Sequence, residues 1–313
     1  MLSGGWNSDL VPGIFPKINM GKIAENDKPI SGQGSHSAKP VIFLHIPKTA
    51  GTTLHDIIER HYVPGEICTF GADAHAAVED FKNLSSEERA KIHLLRGHMA
   101  FGLHRYLPGT NDYFTILRDP IDRVVSYYNF ILRTPDHYLN QIVQSDNMSI
   151  SDLLQSEMPL MMNDAQVRLL SGVWGGVAFG KVSTAMLGTA EQNLKEFFVV
   201  VGITEEFDKT LCLLGDKLNW GSDILYERQN VSQHGMTQRQ LPAETVNLIR
   251  QANQMDFALY EYASSLFRQQ VRQQGPSFPL RVILFQARNR WEPIYWRLRT
   301  YSIRASIRKK TKP

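Results

Sequence analysis

VIFLHIPKTAGTTL, residues 41–54, begins as an apolar run and ends inside a helix-compatible segment that continues to His61. Val41–Ile46 reads as a buried strand, Pro47 ends it, Lys48 follows at once, and small residues lead through Thr53 into the helix. A strand, a tight loop of small residues and a helix make an anion site. The first backbone N–H groups of the helix have no intrahelical partner, and the helix dipole favours negative charge there. Thr49, Ala50, Gly51, Thr52 and Thr53 line that loop; Lys48 adds a point charge and the threonines add hydroxyl donors. In the nucleotide-kinase loop G-x-x-x-x-G-K-[ST], the lysine follows the glycines and precedes a magnesium-holding hydroxyl. Here the lysine comes first, so the loop is read as binding a phosphate-like group without ATPase chemistry.

Around this unit the chain alternates. Strand patterns occupy Ile92–Arg96, Tyr113–Leu117 and Phe197–Ile203. Helical patterns occupy Ile121–Leu132, Ser151–Glu157, Asp164–Leu170, Phe207–Leu218 and one long run from Pro242 to about Arg272. Alternating strands and helices predict an α/β fold, a P-loop-NTPase-like parallel sheet flanked by helices. Residues 1–39, rich in Gly, Pro, Ser and Asn, read as a mobile leader, 40–275 as the folded domain and 276–313 as a basic amphipathic C-terminal segment. From Arg281 to Pro313 there are ten Lys/Arg against one acid, Glu292, while the other 280 residues carry a net charge of −6. Trp291, Ile294, Tyr295, Leu298 and Tyr301 fall at helical spacing in this tail. It could lie on an anionic membrane surface, guide a polyanionic acceptor, or pack on the domain with a solvated basic face.

The composition, 42% hydrophobic and 21% charged over 313 residues, allows a large core and excludes a disordered or collagen-like chain. Cys68 and Cys212 stand far apart and outside metal-ligand spacing, so two reduced thiols are expected. No run of 18 apolar residues and no signal pattern is seen, which predicts a cytoplasmic protein or one whose membrane anchor is not part of this sequence. No metal and no specific nucleic-acid partner are expected.

A second candidate phosphate site lies in Tyr113–Phe130, YFTILRDPIDRVVSYYNF. A strand runs into Asp119-Pro120, and a helix carrying Arg123 and Ser126 follows. Arg118, at the strand's end, can fork onto a phosphate, and Ser126 can add a hydroxyl. An ion pair from Arg118 to Asp119 or Asp122 is the competing reading. With an anion loop on another strand of the same sheet the phosphate reading is the better one, because ligands of such sheets bind at the carboxyl ends of strands.

HIPKTAGTT followed about seventy residues later by RDPIDRVVSYYNF resembles the cytosolic and Golgi sulfotransferases. The likeness is strongest to the carbohydrate group with the heparan sulfate and uronyl 2-O-sulfotransferases and their bacterial relatives. It extends through RGHMAF (Arg96–Phe101), NDAQVRLLSG (Asn163–Gly172) and FVVVGITEEFDKTLCLL (Phe198–Leu214), and covers roughly residues 40 to 265. The resemblance implies 3′-phosphoadenosine 5′-phosphosulfate (PAPS) as donor. Its 5′-phosphosulfate would lie in the Lys48 loop and its 3′-phosphate on Arg118 and Ser126. It also implies a hydroxyl acceptor, on a carbohydrate.

Sulfuryl transfer is an in-line displacement in which positioning and charge stabilisation do most of the work. Lys48 is placed to meet charge on the leaving phosphate, and a histidine suits the role of base near neutral pH. RGHMAFGLHRYL offers two. His98 matches the base position of the 2-O group, whereas His104 lies in a Gly-Leu-His resembling that of the glucosaminyl 6-O-sulfotransferases. His98 is preferred because the whole chain tracks the 2-O group, and His45 is a third candidate. The chain departs from that group at Arg96, where another histidine stands, and at His45, where an arginine meets the acidic sugar. Both changes fall on the acceptor side and count against a heparan-type acceptor. In the polar loop Tyr226–Arg239, the family likeness makes Arg228, Ser232 and Arg239 candidates for the 3′-phosphate. Two rivals to a sulfotransferase remain: a kinase of the same sheet class, and an inactive relative that only binds polyanions.

Overall fold

The computed structural model of the protein describes residues 39–71, 74–227 and 235–291. The leader before Lys39, the tail after Trp291, Arg228 and Ser232 therefore lie outside the described residues. In chain order come β1 (Val41–Leu44), α1 (Gly51–Ile58), β2 (Ile67–Phe70), α2 (Ala74–Asn83), α3 (Ser86–Ala90), β3 (Leu94–Gly97) and β4 (Asp112–Leu117). Then follow α4 (Pro120–Arg133), α5 (Asn140–Ser145), α6 (Ile150–Gln155), α7 (Ala165–Ser171), α8 (Thr184–Phe197) and β5 (Phe198–Ile203). Three helices, α9 (Phe207–Lys217), α10 (Ala243–Ala252) and α11 (Gln254–Gln273), precede a last helical stretch over 278–291.

The strands form one parallel sheet in the order β2-β3-β1-β4-β5, flanked by helices, the α/β architecture expected from the alternation. Every residue of β1 and of β3 is buried, as in a sheet covered on both faces. From β1 the chain runs to β2 and β3 on one side, then crosses to β4 and β5 on the other. The strand order reverses between β1 and β4, and both phosphate-binding candidates begin at the carboxyl ends of these two strands, where ligands of such sheets bind. A smaller cluster, including Val124, Tyr128, Ile131, Leu153 and Ile249, ties α4, α6 and α10 together beside the sheet.

The sequence reading placed no helix at α2, α3 or α5, and four further features depart from it. Strand β2 was not expected, because its four residues follow Pro64-Gly65 and are too few to show a period. Helix α8 was missed because it buries only Ala190, Asn193 and Leu194. Helix α1 starts at Gly51 rather than Thr53, and Ala50 caps it in the left-handed region at φ 67°. The long helix is two helices, broken at Asn253, with Pro242 as the cap of the first. Fully buried Asn253 donates from Nδ2 to the Met162 and Ile249 carbonyl oxygens at 2.9 and 3.0 Å. Its Oδ1 accepts from the Asp164 amide at 3.0 Å. These side-chain bonds replace the helical ladder at the break.

Gly97 ends β3 with φ 131°, and a Cβ there would collide with the Phe70 carbonyl oxygen of β2. Gly97→Ala is therefore expected to cost at least about 2 kcal/mol of stability, combining backbone strain and overpacking. Urea denaturation at unchanged slope measures it; a loss below about 0.5 kcal/mol would show that the turn relaxes freely.

Candidate active site

The Lys48 loop is held in shape from inside. Lys48 and Ala50 both have positive φ, at 74° and 67°. The Thr49 hydroxyl donates to the Ile46 carbonyl oxygen at 2.7 Å and is fully buried. Thr49 thus corrects the expectation that all three threonine hydroxyls face a ligand: its hydroxyl braces the turn. Thr52 is exposed, Thr53 is buried, and the N-terminus of α1 has no side-chain cap. Gly51 packs so closely under the His45 imidazole that any Cβ would strike the ring.

Arg118 leaves the end of β4 and donates from Nη1 to the Lys48 carbonyl oxygen at 3.1 Å, so the two candidate phosphate sites are joined directly. Among the described residues its guanidinium is bonded to this carbonyl and makes no ion pair with Asp119 or Asp122. Asp119 is occupied as the cap of α4, accepting from the Ile121 and Asp122 amides at 2.9 and 3.1 Å, with Pro120 at the first helical position. Ser126, part-exposed, follows two turns into α4. One helical face carries Ser126, Phe130 and Arg133, at spacings of four and three residues. The Lys48 ammonium lies 4.1 Å from the centroid of the Phe130 ring.

Burial first, then the charges of Arg133 and Arg118, push the Lys48 pKa down to about 8. Among the described residues no carboxylate lies within ion-pair distance of Lys48. Lys48, Arg118 and Arg133, from three elements, act on one another, and among the described residues none of the three makes an ion pair, an arrangement that favours an anion in the site.

Beside the cations stand three imidazoles. The His45 amide donates to the Gly97 carbonyl oxygen at 3.0 Å, which sets the residues after β1 and β3 side by side. The rings of His45 and His98 lie 4.8 Å apart, and those of His45 and His55 5.2 Å apart. The Nε2 atoms of His45 and His55 are buried without a hydrogen-bond partner, whereas His98 is part-exposed. Burial is the first cause that depresses all three pKa values, and neighbouring positive charge adds to it. His98 falls to about 4 with His55 and Lys48 contributing, and His55 to about 4. His45 lies well below its usual value. All three are neutral at pH 7 and able to accept a proton.

His104 is not brought to this group. It sits in a short turn near the amino end of β4, with Nδ1 3.0 Å from the Tyr113 hydroxyl and its ring between Phe101 and Phe197. Arg96 is almost fully buried, paired with Glu59 at 2.7 Å and donating to Thr69 Oγ1 at 3.0 Å. Arg239 is exposed in a turn whose neighbour Met236 is pinned to α4 by both amide atoms of Asn129.

The sequence reading missed Phe130, Arg133 and His55, and it missed the frame beneath Arg118. Gln166, fully buried, accepts from the Arg118 amide at 3.1 Å and donates to its carbonyl oxygen at 3.0 Å. Asp256, also fully buried, accepts from the Gln166 and Val167 amides at 3.2 and 2.8 Å and pairs with buried Arg123 at 3.7 Å. The i, i+4, i+7 spacing of Ser126, Phe130 and Arg133 was a signal that could have found two of these residues.

The sequence profile described as the Sulfotransferase family matches residues 36–263, which contain both strand-end sites and His98. The chain belongs to the sulfotransferase family. It is 26% identical over 260 residues to galactose-3-O-sulfotransferase 3 of Homo sapiens, covering 75% of this chain and 58% of that protein. It is 27% identical over 256 residues to heparan sulfate 2-O-sulfotransferase 1 of Gallus gallus, covering 73% and 70%. A heparin sulfate O-sulfotransferase of Drosophila melanogaster is 25% identical over 257 residues, covering 72% and 71%. The chain thus spans a little over half the length of the galactose-3-O-sulfotransferase.

The depressed imidazoles of this site carry a stability consequence. His55 and His98 bind protons near pH 6.5 in the unfolded chain but only near pH 4 in the folded one. Folding stability is therefore fully present above about pH 6.5 and falls as pH drops toward 4. Urea denaturation at pH 7 and pH 5 should show this fall, and His98→Gln should narrow it. An unchanged difference in that variant would show that His98 is solvated in the folded protein.

Proposed function

We propose that this chain is a PAPS-dependent O-sulfotransferase acting on a carbohydrate hydroxyl. The observation that carries the reading is the convergence of Lys48, Arg118 and Arg133, none of them in an ion pair among the described residues, beside the uncapped N-terminus of α1 and the neutral His98. A donor with two separated phosphate positions fits two joined but distinct anion sites. The amides of the first turn of α1 and Lys48 would hold the 5′-phosphosulfate; Arg118 and Ser126 would hold the 3′-phosphate. When bound, the donor supplies a sulfuryl group whose bond to the 5′-phosphate breaks as a bond to the acceptor oxygen forms.

The chain's own residues supply the remaining chemistry. Lys48 stabilises charge growing on the leaving phosphate, an interaction stronger in the transition state than in the ground state. His98 takes the proton from the acceptor hydroxyl. Its low pKa, set first by burial and then by His55 and Lys48, keeps it neutral before reaction, and an anion bound beside Lys48 raises its basicity only by the part that Lys48 contributes. His45 packs against His98 and orients it. His104, held by the Tyr113 hydroxyl and two phenylalanines, has a packing role.

The acceptor is read as a neutral sugar. Arg96 is spent on Glu59 and Thr69, and His45 is neutral, so neither of these acceptor-side groups offers a positive charge to a uronate. This reading is closer to the galactose in one relative's name than to the heparan sulfate in another's.

Adenosine 3′,5′-bisphosphate should raise the melting temperature through mass action, and ATP far less. Arg118→Ala should weaken that nucleotide by about 1.5–3 kcal/mol in calorimetric titration. Equal, magnesium-dependent stabilisation by ATP would instead promote a kinase of the same sheet class.

The base assignment separates cleanly by kinetics. His98→Ala should lose roughly 10²- to 10⁴-fold in turnover while keeping nucleotide affinity. His104→Ala should act on the melting temperature more than on turnover. A folded His98→Ala enzyme with near-normal sulfate transfer to a panel of neutral and uronate-containing glycans would remove His98 from the role.

A further inference from the structure

The helical stretch over 278–291 has two apolar faces, and only one is used. Phe278, Val282 and Phe285 are buried in the main core. Gln286 Nε2 donates to Asp208 at 2.8 Å, Asn289 Oδ1 accepts from the Tyr226 amide at 2.7 Å, and Arg281 pairs with Asp216. These contacts fix the helix antiparallel to α9, so its rotation about its own axis is set. At about 100° per residue, Leu280, Ile283, Leu284, Ala287 and Trp291 then share one stripe on the side away from the domain. The large members are exposed by 60%, 59%, 60% and 69%. A stripe this regular on a rigidly docked helix is not the scattered apolar exposure of an ordinary surface.

The charges beside the stripe say what covers it. On the helical wheel Arg288 lies on one flank of the stripe and Arg290 on the other, and residues 278–291 contain no acid. We propose that this face docks on an anionic lipid surface. The stripe would enter the boundary between headgroups and acyl chains, Trp291 would sit at the interface, and the flanking guanidinium groups would meet lipid phosphates. A second copy packing stripe on stripe would bring the basic flanks of two such helices together, and residues 278–291 supply no acid to pair them. The chain's own residues 292–313 carry seven Lys/Arg and one acid, so they repel those flanks and add to the attraction of an anionic surface. Trp291, the last described residue, lies beyond Gln286 toward the amino end of α9, and thus toward the sheet edge that carries the candidate active site.

Cosedimentation of the full chain with vesicles tests this without reference to catalysis. The chain should pellet with phosphatidylcholine vesicles containing phosphatidylserine and stay in solution with phosphatidylcholine alone. Added salt should weaken the binding. Leu280→Ser combined with Ile283→Ser and Leu284→Ser should keep the melting temperature, since all three are exposed, and lose roughly tenfold or more of the partitioning. Two results would overturn the proposal. One is full binding by the triple variant, which would assign the attraction to basic charge alone. The other is a wild-type dimer in light scattering that the triple variant makes monomeric, with no vesicle binding by either protein, which would make the stripe a contact between copies.

Discussion

Val41, Ile42 and Phe43 pair in parallel with Asp112, Tyr113 and Phe114, and that ladder fixes where two loops must end. Because the strands run the same way, the Lys48 loop and the Arg118 turn leave the sheet at one edge, in adjacent positions. The bond from Arg118 to the Lys48 carbonyl oxygen closes the gap between them. Antiparallel pairing would have placed the two cations at opposite ends of the sheet, however similar the local sequences. The site is thus a product of strand direction first and of side-chain chemistry second.

Electrostatically the site is held in an unfavourable state when empty. Burial first, and then the charges of Arg133 and Arg118, lower the affinity of Lys48 for protons, and burial likewise lowers that of three imidazoles beside it. A protein tolerates such a concentration of like charge only where the surrounding frame leaves it no relaxed alternative. The charge that relieves it is that of an anion, and the relief contributes to binding. His98 is held low first by burial and then by His55 and Lys48, so negative charge brought beside Lys48 would offset only the smaller part of that shift.

That frame is buried and polar. Gln166 grips both backbone atoms of Arg118, Asp256 grips the amides of Gln166 and Val167, and Arg123 lies beneath them without exposure. Asp164 accepts from the Asp256 amide at 2.8 Å, and burial first, then the charge of Asp256, raises its pKa to about 7. Arg168 ties the same segment to the Asn163, Val177 and Ala178 oxygens at 2.7–3.0 Å. Buried networks of this kind are weak sources of stability but strong sources of geometry. The run Asn163–Arg168 positions the strand end and does not itself present a side chain to the anion site.

By itself the sequence determined the parallel α/β class, the Lys48 loop, the Arg118 turn and family membership. Each rests on short-range signals: apolar strand runs, Pro47 and Pro120 as stops, small residues where a helix begins. Periodicity could not show β2, whose four residues are shorter than a readable period, nor the break at Asn253, which is made by bonds to residues about ninety positions away. The inward turn of the Thr49 hydroxyl, the grip of Gln166 and the pairing of Phe130 with Lys48 likewise exist only after β1, β4, α4 and α7 have packed. His98 and His104 look alike in sequence, six residues apart on one loop. Only the tertiary structure separated them, because the loop turns back after Gly97. It leaves one ring against His45 at the carboxyl edge and carries the other to Tyr113 near the amino edge.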